Sequence, residues 1–282
     1  VLTQKEQDEI LARSLAKKIR LENQFKPELR RFFKQISKDA TASWISNGNI
    51  PLLDSFSIEL ISLLRTHYRR VSKAFGGELR SRSKKSFSLL LETKQEEDLD
   101  ANIDTDIVKY INEHSIQQSQ YILQTTEREL NNIVATVTAS AILEGSKPTK
   151  QETAKEIEKE FYSRTNGRVD TIAMTETQTP AEEISYIEAL GVAAVAVTQG
   201  GDVVKTWNTV LDEKTRPAHV EADRQERKIK DPYLVGGELL PVPGSTALGA
   251  SLKNIINCRC TSVNSITGEV SPIYNSVTQT FE

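Results

Sequence analysis

Ala193-Ala194-Val195-Ala196-Val197-Thr198, then Gly200-Gly201-Asp202, then Val203 to Val210: this stretch decides the fold class. It is the first place where apolar side chains stop recurring every three or four residues and read as short runs bounded by glycines. Two such runs around a Gly-Gly-Asp turn predict a β-hairpin, with Trp207 in the return strand. A hairpin here makes the chain α+β: a mainly α-helical N-terminal half with long helices, and a small, loop-rich α+β C-terminal module.

Upstream, helical spacing dominates. Thr3-Gln4-Lys5-Glu6 fits a capping box, with the hydroxyl at the N-cap and a carboxylate three residues on. Ile10, Leu11, Leu15 and Ile19 keep the period. Pro27 is expected to break or restart the helix, which resumes through Leu29, Phe32, Phe33, Ile36, Ala40 and Trp44 and stops at Asn47-Gly48. A second helix follows Pro51, its apolar stripe running from Leu52 to Phe75. Glu78 to Asp100 is charged and Ser-rich, with an apolar island at Phe87 to Leu91, and reads as a loop or a short helix. A third, long helix extends from Ile103 to Glu144-Gly145. Its polar middle, Gln117 to Thr126, is either an exposed face or one turned to a partner.

Ser146-Lys147-Pro148-Thr149 marks the boundary between residues 1–147, a helical arm or bundle, and residues 148–282. Beyond it the pattern predicts a short helix over 149–163, a turn over 164–167, two short helical segments interrupted near Pro180, and then the hairpin. A Gly/Pro-rich stretch from Pro232 to Gly249 precedes a last apolar segment at Leu252, Ile255 and Ile256.

Charge is unevenly spread. The 282 residues carry a formal net charge of −3. Residues 1–85 hold 18 Lys and Arg against 9 Asp and Glu, and the remainder 18 against 30. The excess gathers at Arg65, Arg69, Arg70, Lys73, Arg80, Arg82, Lys84 and Lys85, faced only by Glu78. Such a run is either a solvated helix end or a contact for phosphates or an acidic partner. No run approaches the ~20 apolar residues of a membrane helix, so no membrane partner is expected. The first twenty residues interleave Lys, Glu and Asp with apolar positions, unlike a secretory signal.

The candidate chemistry lies in the second half. Trp207 is followed by Asp212, Arg216, His219 and Asp223, and later by Asn257-Cys258-Arg259-Cys260. A disulfide between cysteines two apart is badly strained, so Cys258 and Cys260 read as free thiols, metal ligands or buried small residues. Two thiolates and one imidazole suit Zn²⁺, with Asp212 or Asp223 as fourth ligand. In the metal-free alternative the cysteines are buried, His219 bonds a backbone carbonyl, and Arg216 pairs with a carboxylate or carbonyl. A catalytic alternative uses Cys258 as nucleophile, His219 as base and Asp223 as orienter, or Glu176, Asp212 and Asp223 around Mg²⁺. No phosphate-binding glycine loop is present, because Gly200-Gly201 and Gly236-Gly237 lack the flanking pattern.

Ile172-Ala173-Met174-Thr175-Glu176-Thr177, Trp207, Asp212…Arg216-Pro217-Ala218-His219…Asp223, Gly237…Leu240-Pro241-Val242-Pro243-Gly244 and Ile256-Asn257-Cys258-Arg259-Cys260 occur in that order. Together they resemble the phage Mu protein F-like family, the minor head or head morphogenesis proteins of tailed bacteriophages. The resemblance covers residues 148–265, and its most specific part is Arg-x-x-His with the closing Asn-Cys-Arg-Cys. Met174 stands where the family commonly has Arg, and Arg224 where a Gly commonly follows the Asp.

The resemblance implies a low-copy virion component in the head interior or at the portal vertex, assembled in the host cytoplasm. It implies portal protein or major capsid protein as partners, packaged DNA as a further contact, and a part in head assembly, packaging or ejection. It brings no enzymatic activity and no cofactor beyond the candidate zinc. The other reading is a metal-dependent enzyme (hydrolase, nuclease or toxin-like) built on His219, Cys258, Cys260 and Asp223.

Overall fold

The apolar stripes of the first 198 residues become helices, several of them longer than their prolines and glycines suggest. The structure, a computed structural model, describes residues 2–87, 93–198, 200–267, 274–275 and 280–281. For 84–87, 93–96, 274–275 and 280–281 only the backbone is described. The helices are α1 (Gln4–Asn47), α2 (Ser57–Phe75), entered through a 3₁₀ turn at Leu53–Phe56, α3 (Glu78–Phe87), α4 (Thr93–Leu143) and α5 (Lys150–Thr198). Then come β1 (Asp202–Asn208), α6 (Pro217–Glu221), β2 (Glu226–Lys228), β3 (Tyr233–Val235), β4 (Glu238–Leu240), α7 (Leu252–Ile255), β5 (Thr261–Thr267) and the two-residue strands β6 (Tyr274–Asn275) and β7 (Thr280–Phe281). The fold is α+β, and 71% of it is helical. Among the described residues no helix is long and apolar enough to cross a membrane.

Three expectations are corrected. Pro27 does not break α1. It sits on the exposed face, where water can satisfy the carbonyl that a proline deprives of its N–H donor. The segments expected over 149–191 are one continuous helix that passes through Gly167 and Pro180. Side chains hold the expected turn at 164–167 helical. Arg164 pairs with Glu129 of α4 at 2.8 Å, and the Arg168 guanidinium donates to Ile122 O, Thr125 Oγ1 and Thr126 Oγ1 at 2.6–2.9 Å.

The third correction concerns the stretch that opened the sequence reading. Ala193 to Thr198 is the last part of α5, not a strand. Ala189, Val192, Ala193 and Ala196 are buried at helical spacing against Leu79, Val203 and Ile229. Gly200 and Gly201 end the helix through N–H bonds to Val197 O and Ala196 O. The strand read at Val203–Val210 does exist, as β1, but its antiparallel partners are β2 on one side and β5 on the other. The order β2-β1-β5 therefore joins segments about twenty and sixty residues away. A true two-residue hairpin joins β3 and β4 through Gly236-Gly237, both at positive φ (56° and 81°), which this tight turn requires.

Contacts divide the chain into two compact units, and the division does not fall at residue 147/148. One unit comprises 22–67 and 111–173; the other comprises 1–21, 68–110 and 174–282. The first is wholly helical. Phe32, Phe33 and Phe56 pack edge to face, Phe33 meets Phe161 at 6.5 Å, and His67 stacks on Phe25 at 4.0 Å. The Ser146–Pro148 segment connects α4 to α5 within it, and Thr149 and Glu152 form a reciprocal capping box at the start of α5.

The second unit holds the ends of the long helices, α3 and the strands. Thr3 and Glu6 form the expected capping box of α1. A Cβ added at Gly191 would lie 2.4 Å from Ile103 Cγ1, so this glycine lets α5 approach α4 closely. The Lys18 ammonium is buried with the Glu182 carboxylate at 2.6 Å, and Glu182 also accepts the Ser262 N–H at 2.7 Å.

Candidate functional site

The motif residues meet at one end of β1. In the β1–β5 register Trp207 faces Ser262 and Asn208 faces Thr261. Trp207, fully buried, packs its ring edge-on against Tyr233 at 5.2 Å and His219 at 5.6 Å. Thr209, the next-but-one residue, is the hub. Its Oγ1 accepts the Trp207 Nε1–H at 3.1 Å and donates to His219 O at 2.9 Å, and its N–H bonds Asp223 Oδ1 at 2.8 Å. These ties fix the short α6, which starts with Pro217 at its first turn and presents His219 inward.

Asn257 (φ 58°) turns the chain from α7 toward β5, a conformation that asparagine tolerates. Burial then alternates: Cys258 and Cys260 are buried and Arg259 is half-buried, as in an extended segment whose alternate side chains share a face. Arg259 reaches Asp212 at 2.6 Å. That contact holds the Asp212 carboxyl below the usual range, aided by the Thr215 hydroxyl. The Arg216 guanidinium donates to Ile256 O, anchoring α6 to the same turn.

The two thiols and the imidazole converge. His219 Nδ1 lies 3.4 Å from Cys260 Sγ and 3.7 Å from Cys258 Sγ. The ligand atoms of the three side chains all fall within 4.8 Å of one another. Among the described residues the His219 ring bonds no backbone carbonyl, which differs from the metal-free expectation. Its Nε2 has no hydrogen-bond partner among the described residues. The Cys260 thiol beside it, with His219, holds the Cys258 thiol well below its usual range, against the opposing effect of burial. Cys260 is pushed up by its bond to Cys258 and by burial. Cys258 and Cys260 are free thiols.

The carboxylates expected to join this group do not. Asp212 is engaged by Arg259 and Asp223 by the Thr209 N–H, and Glu176 accepts the Tyr68 hydroxyl at 2.5 Å. Among the described residues no group of these three carboxylates could hold an ion. Arg224 has φ 63°, the region that favours glycine. Its guanidinium reaches Asn208, Gln7 and Asp8, ties that offset the strain.

Several residues that position the site went unread in the sequence. Gln178 Nε2 donates to Cys260 O at 2.6 Å, Thr179 Oγ1 to Gly244 O at 3.0 Å, and the Tyr233 and Ser262 hydroxyls bond at 2.8 Å. Lys205 is buried between the Tyr186 and Tyr233 rings, its Nζ 2.6 Å from Pro241 O, and burial pulls its pKa down to about 8. The one available signal was the polar run Thr175 to Thr179, placed on a helix that should be amphipathic.

Three residues of the basic segment are engaged internally. Arg65 donates to Ser115 Oγ at 3.2 Å, Arg80 pairs with Asp104 and Glu188, and Arg82 donates to Asn264 O. Arg70 is half-buried, Arg69 and Lys73 are exposed, and the side chains of Lys84 and Lys85 lie outside the described residues, as does most of the Phe87–Leu91 island. Comparison of the chain with family models, curated proteins and solved structures finds no match.

Proposed function

We propose that this chain is a minor capsid or head morphogenesis protein of a tailed bacteriophage, present in few copies and associated with the portal or inner head. The reading rests on the ordered motif from Glu176 to Cys260 that resembles the phage Mu protein F-like proteins. One observation supports it most. The motif residues clustered around β1 act as ties within a single knot: Trp207 and Asp223 on Thr209, Arg216 on Ile256 O, Arg259 on Asp212, and His219 on both cysteines. A motif spent on holding loops together suits a rigid assembly module. Asp212 and Asp223, the carboxylates nearest the motif, are both engaged in such ties.

Portal or major capsid protein is the proposed partner, within the virion. Among the described side chains of the basic segment, Arg69 and Lys73 are exposed for contact with DNA, and the affinity of such a contact should fall steeply with salt. The test is direct. Purified particles of the encoding phage should contain the chain at low copy number by quantitative mass spectrometry, and tagged chain co-expressed with portal protein should co-purify with it. Absence from particles together with no portal association overturns the reading.

A further inference from the structure

We propose that Cys258, Cys260 and His219 are three protein ligands of a zinc ion whose fourth position is open to a small cleft. The inference is independent of the phage reading and rests on geometry. Zinc–sulfur bonds near 2.3 Å and zinc–nitrogen bonds near 2.0–2.1 Å, set at the tetrahedral angle, put a ligand nitrogen about 3.6 Å from each ligand sulfur. His219 Nδ1 lies 3.4 and 3.7 Å from the two sulfurs. A ring nitrogen carries either one hydrogen or one lone pair, so it can satisfy one thiol. Its placement between two is what a shared ion requires.

The surroundings agree. The ligands come from two segments, α6 and the turn before β5, each locked by its own ties: Thr209 on His219 O for the first, Gln178 on Cys260 O for the second. Ligand positions are thus set without the ion, as a preorganised site needs. Trp207, Tyr233, Val235 and Leu240 supply an apolar shell on one side. On the other, a small cleft lined by Lys214, Thr215, Asn257 and Arg259 reaches the ligands.

Charge also balances. Zn²⁺ with two thiolates and a neutral imidazole is formally neutral, so its burial avoids the cost of an uncompensated ion. Binding releases the protons of the two thiols to solvent. Asp212 and Asp223 are committed elsewhere, and among the described residues no other His, Cys, Asp or Glu joins the group, which leaves the fourth position to solvent.

The test uses the full chain, purified under reducing conditions without chelator from cells supplied with zinc. Elemental analysis should find one equivalent of zinc per chain. After chelation and loading with Co²⁺, the chain should show a near-ultraviolet thiolate-to-cobalt band and the visible bands of a four-coordinate ion, and added azide should shift the visible bands. Cys258→Ser, Cys260→Ser and His219→Ala should each lower the bound metal. Because a buried substitution can unfold this unit, the wild-type chain provides a second measurement: Zn²⁺ should slow alkylation of both thiols by about tenfold, since the free thiolate is the reactive form. A folded wild-type chain that takes up neither metal, with thiols alkylated equally fast with and without Zn²⁺, overturns the site. Full metal content in the folded triple variant does the same. Cobalt bands that azide leaves unmoved overturn the open fourth position.

Discussion

In the unit of residues 22–67 and 111–173, the ties between distant segments are mostly ring on ring or aliphatic on aliphatic, as where Phe33 meets Phe161. Its polar links include Arg164 with Glu129 near the surface and Arg168 with Thr125 and Thr126 deeper in. In the unit of 1–21, 68–110 and 174–282, charged and polar groups are taken into the interior: Lys18 with Glu182, Tyr68 with Glu176, Lys205 with Pro241 O. The first arrangement tolerates replacement of one apolar residue by another of similar volume. The second is selective, because removing one member of a buried pair leaves the other uncompensated. Long helices can therefore pack by pattern alone, whereas short strands and loops need specific partners.

That contrast can be broken at Lys18. Lys18→Met should destabilise the strand-bearing unit by about 3–5 kcal/mol, the cost of stranding the Glu182 carboxylate, while the double change Lys18→Met with Glu182→Leu recovers most of the loss. Hydrogen exchange read separately for each unit measures it. A loss no larger than that of a surface pair would erase the distinction.

Tyr68→Phe sharpens the same point. It removes the hydroxyl that burial and Glu176 hold protonated, and should cost about 1.5–3 kcal/mol, the range for a bond to a charged group. Urea unfolding followed through amides of α5 beyond Met174 reports it.

In the helical unit the corresponding change should stabilise. Pro27→Ala on the exposed face of α1 is expected to gain about 1–2 kcal/mol, part of the ~3 kcal/mol by which proline trails alanine in a helix interior. A loss on thermal unfolding would mean that Pro27 shapes the helix for packing.

The smallest effect compares one device in both units. Glu6 and Glu152 have carboxyls held below the usual range by their bonds to Thr3 and Thr149. A lowered folded pKa gives stability that is present above the unfolded value of 4.5 and is lost as pH falls through the folded value. Glu6→Ala and Glu152→Ala should each flatten the acid side of the stability curve slightly, each in its own unit, with no change at neutral pH in the slope.

Local chemistry made much of this legible. The capping box at Thr3, the stripes of α1, α2 and α4 and the β1 strand followed from period and side-chain type, which act over a few residues. The reading failed where a residue's neighbours in space outweighed its neighbours in sequence. Arg164 to Gly167 has turn composition, yet α4 holds it helical through Arg164 and Arg168. Ala193 to Thr198 reads as a short apolar run closed by glycines, yet its three alanines favour a helix, and Ala189, Val192, Ala193 and Ala196 bury one helical face against Leu79 and Ile229.

For the site, the sequence by itself determined the cast: Trp207 and Asp212, then one Arg-x-x-His, then Asp223, and finally one Asn-Cys-Arg-Cys. That Cys258 and Cys260 share a face came with the extended backbone that leads into β5. Only the tertiary structure decided which of these residues meet. His219 and the cysteines are separated by about forty residues, and the pairing of β1 with β5 brings them within 3.4 and 3.7 Å. The same pairing leaves Asp212 on Arg259 and Asp223 on Thr209, since a carboxylate goes to the nearest donor the fold supplies.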